Sequence, residues 1–243
     1  MERVGTFVRT RAIDAELLRL VDSAASAVQI VVLGAGFDTR WYRFFNSVDG
    51  IGLYVEVDYQ EVVDEKRKIL SHLSSDPRYF IIPFDLLDDP AKLVEKLKEA
   101  GINFDRTVIF LAECCLMYLP GKHIEHIFDT LHGPHAHFII YEPLLLFDDR
   151  FSDQMISNFH YRHIDLESHR VASIEELEKR YKHWGWQVKL FMTMRQMADS
   201  LDPQEMSLFK RHAALDEYEE WNLISDHYYL IVLSGHEMAR HSC

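Results

Sequence analysis

The chain has 243 residues and a formal net charge of −13 at pH 7. This length suits one large domain or two small ones, and an apolar content of 48% argues against a disordered chain. The apolar runs are shorter than the roughly 18 residues of a membrane helix, and the N-terminus lacks the apolar stretch of a secretory signal. The acidic balance disfavours nucleic acid as a partner. We therefore expect a cytoplasmic protein that does not enter the membrane.

Short apolar bursts alternate with amphipathic stretches along the chain, which is typical of an α/β fold. Apolar runs predict seven strands, at 28–33, 53–58, 79–83, 107–112, 137–142, 187–192 and 227–233. Helical spacing predicts helices at 4–21, 39–45, 60–73, 90–100, 122–131, 173–184 and 194–220. Residues 144–171 follow neither pattern, and we interpret them as an insertion with some helix. Ser173 and Glu176 have the spacing of a capping box.

A glycine turn, Gly34-Ala35-Gly36, follows the first predicted strand. In a Rossmann-type sheet, ligands bind where such turns meet the carboxyl ends of the strands. The third glycine of the dinucleotide fingerprint is replaced by Thr39, and the neighbouring Asp38 would repel a pyrophosphate. A cofactor with an amino group and a sulfonium would not be repelled. By itself, the turn is equally consistent with a tight connection between a strand and a helix.

Acidic residues end the second and third predicted strands. Glu56 and Asp58 point to the same face by the period-two rule, so either can accept hydrogen bonds from ribose hydroxyls. The alternative is that one of them caps the following helix. Asp85 can reach the amino group of an adenine, with the Leu86 backbone N–H on a ring nitrogen. The alternative for Asp85 is a solvated turn.

The fourth predicted strand leads into Glu113, with Tyr118 five residues later. A carboxylate there suits a neighbouring sulfonium, and Tyr118 belongs either to the crevice or to the core. We interpret Cys114 and Cys115 as small packing residues and not as a redox pair. By itself, Arg9 on the N-terminal helix is interpreted as a surface residue. It gains a functional role only if the substrate carries a carboxylate, for which a guanidinium is the natural partner. The 14 His residues do not cluster at ligand spacing, so we expect no metal site.

Taken in order, these segments resemble the leucine carboxyl methyltransferase family. The likeness runs from about Gly5 to Leu233 and rests on the segments 32–40, 54–58, 112–118, 215–220 and 227–228. The resemblance implies a Rossmann-like class I methyltransferase fold with a seven-stranded, mostly parallel sheet and helical insertions. It implies S-adenosylmethionine as the methyl donor, and the C-terminal leucine carboxylate of the protein phosphatase 2A catalytic subunit as the acceptor.

The resemblance also implies roles for individual residues. Arg9 matches the family arginine beside the cofactor and the substrate carboxylate, and with Tyr118 it would orient that carboxylate. The remaining matches are cofactor contacts: Gly34 for the methionyl part, Asp58 for the ribose, Asp85 and Leu86 for the adenine, and Glu113 for the methionyl amino group. We also expect Gly36, in the same turn as Gly34, to bind the cofactor. We expect one domain over 1–243, with an N-terminal helix (1–27), a cofactor-binding half (28–143) and a substrate side (144–233).

The chain departs from the family pattern at its start. Family members typically carry several tens of residues before the Arg9 helix, including a cofactor-binding lysine, so we expect a shortened or truncated N-terminus here. A sister branch acts in wybutosine synthesis on transfer RNA, usually with an appended propeller that this sequence lacks. A catalytically silent cofactor-binding partner is the third alternative.

Because a carboxylate of pKa about 3.5 is already ionised at neutral pH, we predict no catalytic base.

Overall fold

The computed structural model describes residues 2–43, 45–71, 76–205, 207, 221 and 224–236. Within these ranges the strands are β1 (Val28–Leu33), β2 (Ile51–Asp58), β3 (Tyr79–Pro83), β4 (Val108–Glu113), β5 (Ala136–Pro143), β6 (Gln187–Thr193) and β7 (Tyr228–Ser234). The α-helices are α1 (Glu2–Ser23), α2 (Arg40–Arg43), α3 (Gln60–Leu70), α4 (Pro90–Glu99), α5 (Gly121–Thr130), α6 (Arg150–His160), α7 (Ile174–His183) and α8 (Met194–Asp199). Short 3-10 helices cover Phe45–Ser47, Leu116–Tyr118 and Glu167–His169.

The strands form one sheet in the order β3-β2-β1-β4-β5-β7-β6. The first five strands are parallel, and β7 runs antiparallel to both of its neighbours, β5 and β6. The order reverses between β1 and β4, because the chain builds outward from β1 to β3 and then returns to the other side of β1. This reversal is the point at which an open α/β sheet forms its ligand crevice.

The core lies on both faces of the sheet. On β1, Val31 and Leu33 belong to one apolar cluster, while Ile30 and Val32 belong to the other. Helices α4, α5 and α7 cover the first face, and α1 and α8 cover the second. Because helices cover both faces of the sheet, β1 is buried along its whole length. A parallel strand in this position is typically a nearly continuous apolar run.

The predicted strands agree with the structure to within two residues at each end. Two predicted helices are wrong in extent. The helix predicted at 39–45 is the short α2 followed by a 3-10 turn. The helix predicted at 194–220 is interrupted after Asp199, since Pro203 disfavours helical backbone in the residue before it. Residues 206 and 208–220 of that segment lie outside the described residues.

The helix that follows the insertion begins at a modified form of the predicted capping box. Ser173 accepts the backbone N–H of Glu176. The Glu176 carboxylate reaches back to the N–H of Ala172, one residue before the cap residue. Asp89 likewise caps α4, whose first residue is Pro90. The insertion contains α6, as its predicted helical content requires.

Candidate functional site

The glycine turn lies where the carboxyl ends of β1, β2 and β4 converge. Gly34 has φ +61° and Gly36 has φ +51°, backbone conformations that residues with a Cβ rarely adopt. A Cβ on Gly34 would overlap the side chain of Cys115, whereas one on Gly36 would meet open space. Gly34 is therefore required for close packing as well as for its conformation, and Gly36 for its conformation alone.

Asp58, at the tip of β2, is tied to the glycine turn. Its Oδ2 accepts the backbone N–H of Gly36 at 2.6 Å, and its Oδ1 accepts the N–H of Tyr59 at 2.7 Å. Glu56, the other candidate from the sequence, is fully buried and forms an ion pair with Lys66 of α3. Burial raises the pKa of Glu56 to about 7, even though Lys66 favours the charged form. Of the two acids, Asp58 is the one that contacts the glycine turn.

A buried arginine that the sequence analysis passed over organises the other side of the turn. Arg40 is 4% exposed and donates to three carboxylates: Nε to Asp14 at 2.7 Å, Nη1 to Asp38 at 2.6 Å and Nη2 to Glu113 at 2.8 Å. Burial by itself would lower the pKa of this guanidinium, but the three acids raise it above its usual range. Arg40 lies in the segment 32–40 on which the family resemblance rests. Its position two residues after Asp38 is the sequence feature that could have indicated an ion pair between the two.

Glu113 has both carboxylate oxygens engaged by arginines. Oε2 accepts from Arg40, and Oε1 lies 2.6 Å from Nε of Arg9 on α1. The Arg9 side chain is 30% exposed, and its guanidinium lies over the ring of Tyr141, 5.6 Å from the centroid. Arg9 and Glu113, placed together only on the basis of the resemblance, are thus direct partners in the structure.

A cavity of about 530 Å³ opens between α1, the glycine turn and the tip of β4. Arg9, Gly34 and Glu113 line it, together with Thr10, Val32, Ala35, Phe37, Asp38, Thr39, Arg40 and Arg43. The other expected site residues, Gly36, Asp58, Asp85, Leu86 and Tyr118, lie outside this lining. The structure therefore brings together the part of the expected site nearest β1 and β4.

The adenine candidates lie on the loop after β3. The Asp85 carboxylate accepts the N–H of Leu87 at 2.8 Å, so it supports its own turn, in line with the alternative interpretation from the sequence. Leu86 is buried. Tyr118 ends the 3-10 helix after β4 and is 47% exposed, with its ring 6.1 Å from that of Phe159. Tyr118 is thus not a core residue.

The adjacent cysteines are packing residues, as the sequence predicted. Both are free thiols, and burial raises the pKa of Cys114 to about 12 and that of Cys115 well above its usual range. A protonated thiol is a poor nucleophile. Within the described residues, no group of three or more His, Cys, Asp or Glu side chains is arranged to hold a metal ion.

Comparison with known proteins identifies the family. Residues 2–132 match the family model for leucine carboxyl methyltransferase. A leucine carboxyl methyltransferase 1 from Yarrowia lipolytica is 31% identical, over 95% of this chain and 78% of that protein. A leucine carboxyl methyltransferase 1 homologue from Arabidopsis thaliana is 29% identical, over 86% of this chain and 69% of that protein.

Solved structures share the fold at low sequence identity. A DUF574 family protein from Streptomyces avermitilis superposes with a TM-score of 0.65 at 15% identity, covering 96% of this chain and 83% of that one. Geranyl diphosphate C-methyltransferase from Streptomyces coelicolor, solved with S-adenosyl-L-homocysteine, gives 0.54 at 13% identity, covering 91% and 77%. The seven-stranded α/β fold is that of class I methyltransferases. In the described part of the chain, no helix has the length and apolarity to cross a membrane.

The residues at the strand tips fit S-adenosylmethionine. Gly34 lines the cavity and a Cβ on Gly36 would meet open space, and carboxylates lie at the ends of β1, β2 and β4 at Asp38, Asp58 and Glu113. Acids so placed suit a ligand that carries an ammonium group, a sulfonium and ribose hydroxyls. The chain belongs to the leucine carboxyl methyltransferase family, and its cofactor is S-adenosylmethionine.

Proposed function

We propose that this protein methylates the α-carboxylate of the C-terminal leucine of the protein phosphatase 2A catalytic subunit, forming a methyl ester. The relatives that bear the name leucine carboxyl methyltransferase 1 support a leucine carboxylate as the acceptor, because they match along most of the chain. The observation that carries the proposal is Arg9, a partly exposed guanidinium on the wall of the cavity, next to Glu113. A guanidinium fork is the natural partner of a substrate carboxylate.

In this proposal the strand tips hold the cofactor. The backbone of Gly34 and Gly36 lies against its methionyl part, Asp58 accepts hydrogen bonds from the ribose hydroxyls, and Asp85 and Leu86 contact the adenine. Glu113 holds the ammonium group in addition to its arginine partners. When bound, S-adenosylmethionine supplies an electrophilic methyl group attached to a sulfonium.

Arg9 and Tyr118 are the residues we assign to the acceptor carboxylate. Arg9 would hold it by charge-assisted hydrogen bonds, and the half-exposed Tyr118 would orient it from the turn after β4. Because the carboxylate is ionised at neutral pH, no proton has to be removed from it. Catalysis then depends on positioning and on exclusion of water.

Two peptides test the acceptor. One carries the phosphatase tail with its free C-terminal leucine carboxylate, and the other carries the same tail as a C-terminal amide. After calorimetry has established cofactor binding, we expect methyl transfer to the acid peptide and none to the amide. Equal labelling of the two peptides would contradict a carboxylate acceptor. Cofactor binding without any turnover would instead favour the regulatory alternative.

A pair of variants on α1 tests Arg9. Arg9→Gln should raise the KM for the acid peptide by about tenfold or more, because a charge-assisted contact to the carboxylate is lost. Arg11→Gln is the matched control, since Arg11 lies on the same helix but pairs with Glu205 outside the cavity. An equal change in KM for the two variants would rule out the proposed role of Arg9.

A further inference from the structure

Glu142 lies near the end of β5 and is only 5% exposed, so its carboxyl group needs a structural explanation. Its Oε1 accepts the backbone N–H of Cys115 and that of Leu116, each at 2.9 Å. These residues are separated from Glu142 by 27 and 26 positions along the chain. The side chain therefore joins one strand of the sheet to the turn that follows its neighbour, β4.

The turn that Glu142 binds is unusual in its backbone. Cys114 has φ +49°, a left-handed conformation that a residue with a side chain adopts only at a cost. Its N–H donates to the carbonyl of Tyr141 at 2.8 Å, so the chain is still paired to β5 at this point. Directly afterwards the chain turns away from the sheet, and the N–H groups of Cys115 and Leu116 become available to Glu142.

This turn separates the two halves of the site. Glu113 precedes it and faces Arg9 and Arg40. Cys115 packs so closely on Gly34 that no Cβ fits there. Tyr118 ends the 3-10 helix that begins at Leu116. A shift of the turn would thus be transmitted to the glycine turn on one side and to Tyr118 on the other.

We propose that Glu142 is a positioning residue: by binding the Cys115 and Leu116 amides, it holds the turn in the place where Gly34, Glu113 and Tyr118 form one site. The functional consequence rests on the proposed roles of those three residues. Glu142 itself does not line the cavity beside Gly34 and Glu113, so its effect on ligand binding is exerted through the turn.

The neutral form of the acid is sufficient for this role. Burial raises the pKa of Glu142 to about 8, although the backbone hydrogen bonds favour the charged form. Oε2 has no hydrogen-bond partner of ordinary geometry within the described part of the chain. A glutamine offers the same carbonyl oxygen at the same reach, whereas an aspartate keeps the acid but is one methylene too short to hold both amides.

These two variants distinguish the effect of the side-chain length at position 142 from the effect of its carboxyl group. We expect Glu142→Gln to bind S-adenosyl-L-homocysteine within about threefold of the wild-type Kd, and Glu142→Asp to bind it about tenfold or more weakly. Hydrogen exchange of residues 114–118 should be faster in Glu142→Asp than in Glu142→Gln. Titration calorimetry and exchange followed by mass spectrometry measure the two effects on the full chain.

A buried clamp at the opposite end of the sheet supplies the matched control. Gln29 accepts the N–H of Asn103 and donates to its carbonyl, each at 2.7 Å. Gln29→Asn shortens this clamp by one methylene, so it should lower the melting temperature and leave the Kd unchanged. Equal weakening of ligand binding in Gln29→Asn and Glu142→Asp would overturn the proposal, as would a Glu142→Gln variant as weak as Glu142→Asp. A wild-type chain that binds the ligand but does not methylate the peptide would refute only the proposed acceptor.

Discussion

At the residue scale, Arg40 compensates the negative charge of three acids around the glycine turn. Asp14, Asp38 and Glu113 come from α1, the glycine turn and β4, and a carboxylate oxygen of each accepts a hydrogen bond from the same buried guanidinium. Asp14 is 2% exposed, so burial raises its pKa even though Arg40 and Arg43 oppose that effect. Without this cation, the buried Asp14 and the two partly buried carboxylates would repel one another, and Asp14 would keep its desolvation cost with less compensation.

Replacing Arg40 should therefore destabilise the protein strongly. We expect Arg40→Met to lower the free energy of unfolding by about 3–5 kcal/mol, because it removes the buried cation shared by three acids and leaves Asp14 with only the partly exposed Arg43. Arg43→Met is the control: Arg43 contacts the same Asp14 at 3.2 Å, but its side chain is 42% exposed. The control should cost less than about 1 kcal/mol. Urea unfolding measures both values, and similar losses would show that Arg40 is not the organising cation.

Glu142 also gives the stability a pH dependence with a definite sign. Its pKa is about 8 in the folded protein, against an ordinary value of 4.5. Between these values the folded protein keeps a proton that the unfolded chain has released, so unfolding becomes easier as the pH rises. Burial raises the pKa values of its neighbours Cys115, Tyr181 and Tyr229, so these groups ionise only at higher pH. His169 and Arg180 line a cavity together with Glu142.

The difference between wild type and Glu142→Gln isolates this contribution. From pH 5 to pH 8 the free energy of unfolding of the wild type should fall relative to the variant, by at most about 1.4 kcal/mol per pH unit. Other groups, including His169, cancel in the difference between the two proteins. Denaturant titrations at several pH values test this, and parallel pH curves for the two proteins would disprove the raised pKa.

At the scale of elements, the turn after β1 is built against the turn after β4. Gly34 and Gly36 share a left-handed backbone, but only Gly34 lies against Cys115. The alternation of helices and strands predicted that these turns meet at one edge of the sheet. The contact between them depends on side chains that lie far apart in the sequence, and no local pattern reports it.

Alanine substitutions at the two glycines should consequently differ. Gly36→Ala should cost about 1–2 kcal/mol of folding free energy from backbone strain alone. Gly34→Ala should cost more, since its Cβ also displaces Cys115, and it should weaken binding of S-adenosyl-L-homocysteine. Guanidinium unfolding and calorimetry provide the comparison. If Gly36→Ala were the more damaging change, the close packing at Gly34 would not be what requires a glycine.

At the scale of the whole molecule, the acidic balance bears on the choice of substrate. The full sequence carries a net charge of −13, and nucleic-acid binding depends on clustered Lys and Arg that neutralise phosphates. We therefore expect transfer RNA to bind no better than the micromolar range typical of non-specific contacts. Fluorescence titrations at about 50 and about 200 mM salt test this. Tight binding that falls steeply with salt would revive the transfer RNA alternative.

Local sequence determined much of this protein. Apolar runs, glycines and capping residues act over a few positions, so they placed the strands and most helices and brought Asp58 and Glu113 to the ends of their strands. The same patterns also carried the likeness to the methyltransferase family. The predicted length of the helix after residue 194 was wrong. The helical spacing of apolar residues continues past Asp199, but Pro203 disfavours helical backbone in the residue before it.

Tertiary structure decided the rest. Glu56 and Asp58 are equivalent by strand periodicity, but Glu56 is buried in an ion pair with Lys66, whereas Asp58 contacts the glycine turn. Arg40 gains Asp14 and Glu113 as partners, and Glu142 gains two amides, only when the fold brings together segments as many as 73 positions apart. Burial and pairing over such distances set the charge and position of these groups, because a side chain's electrostatic environment depends on its neighbours in space and not on those along the chain.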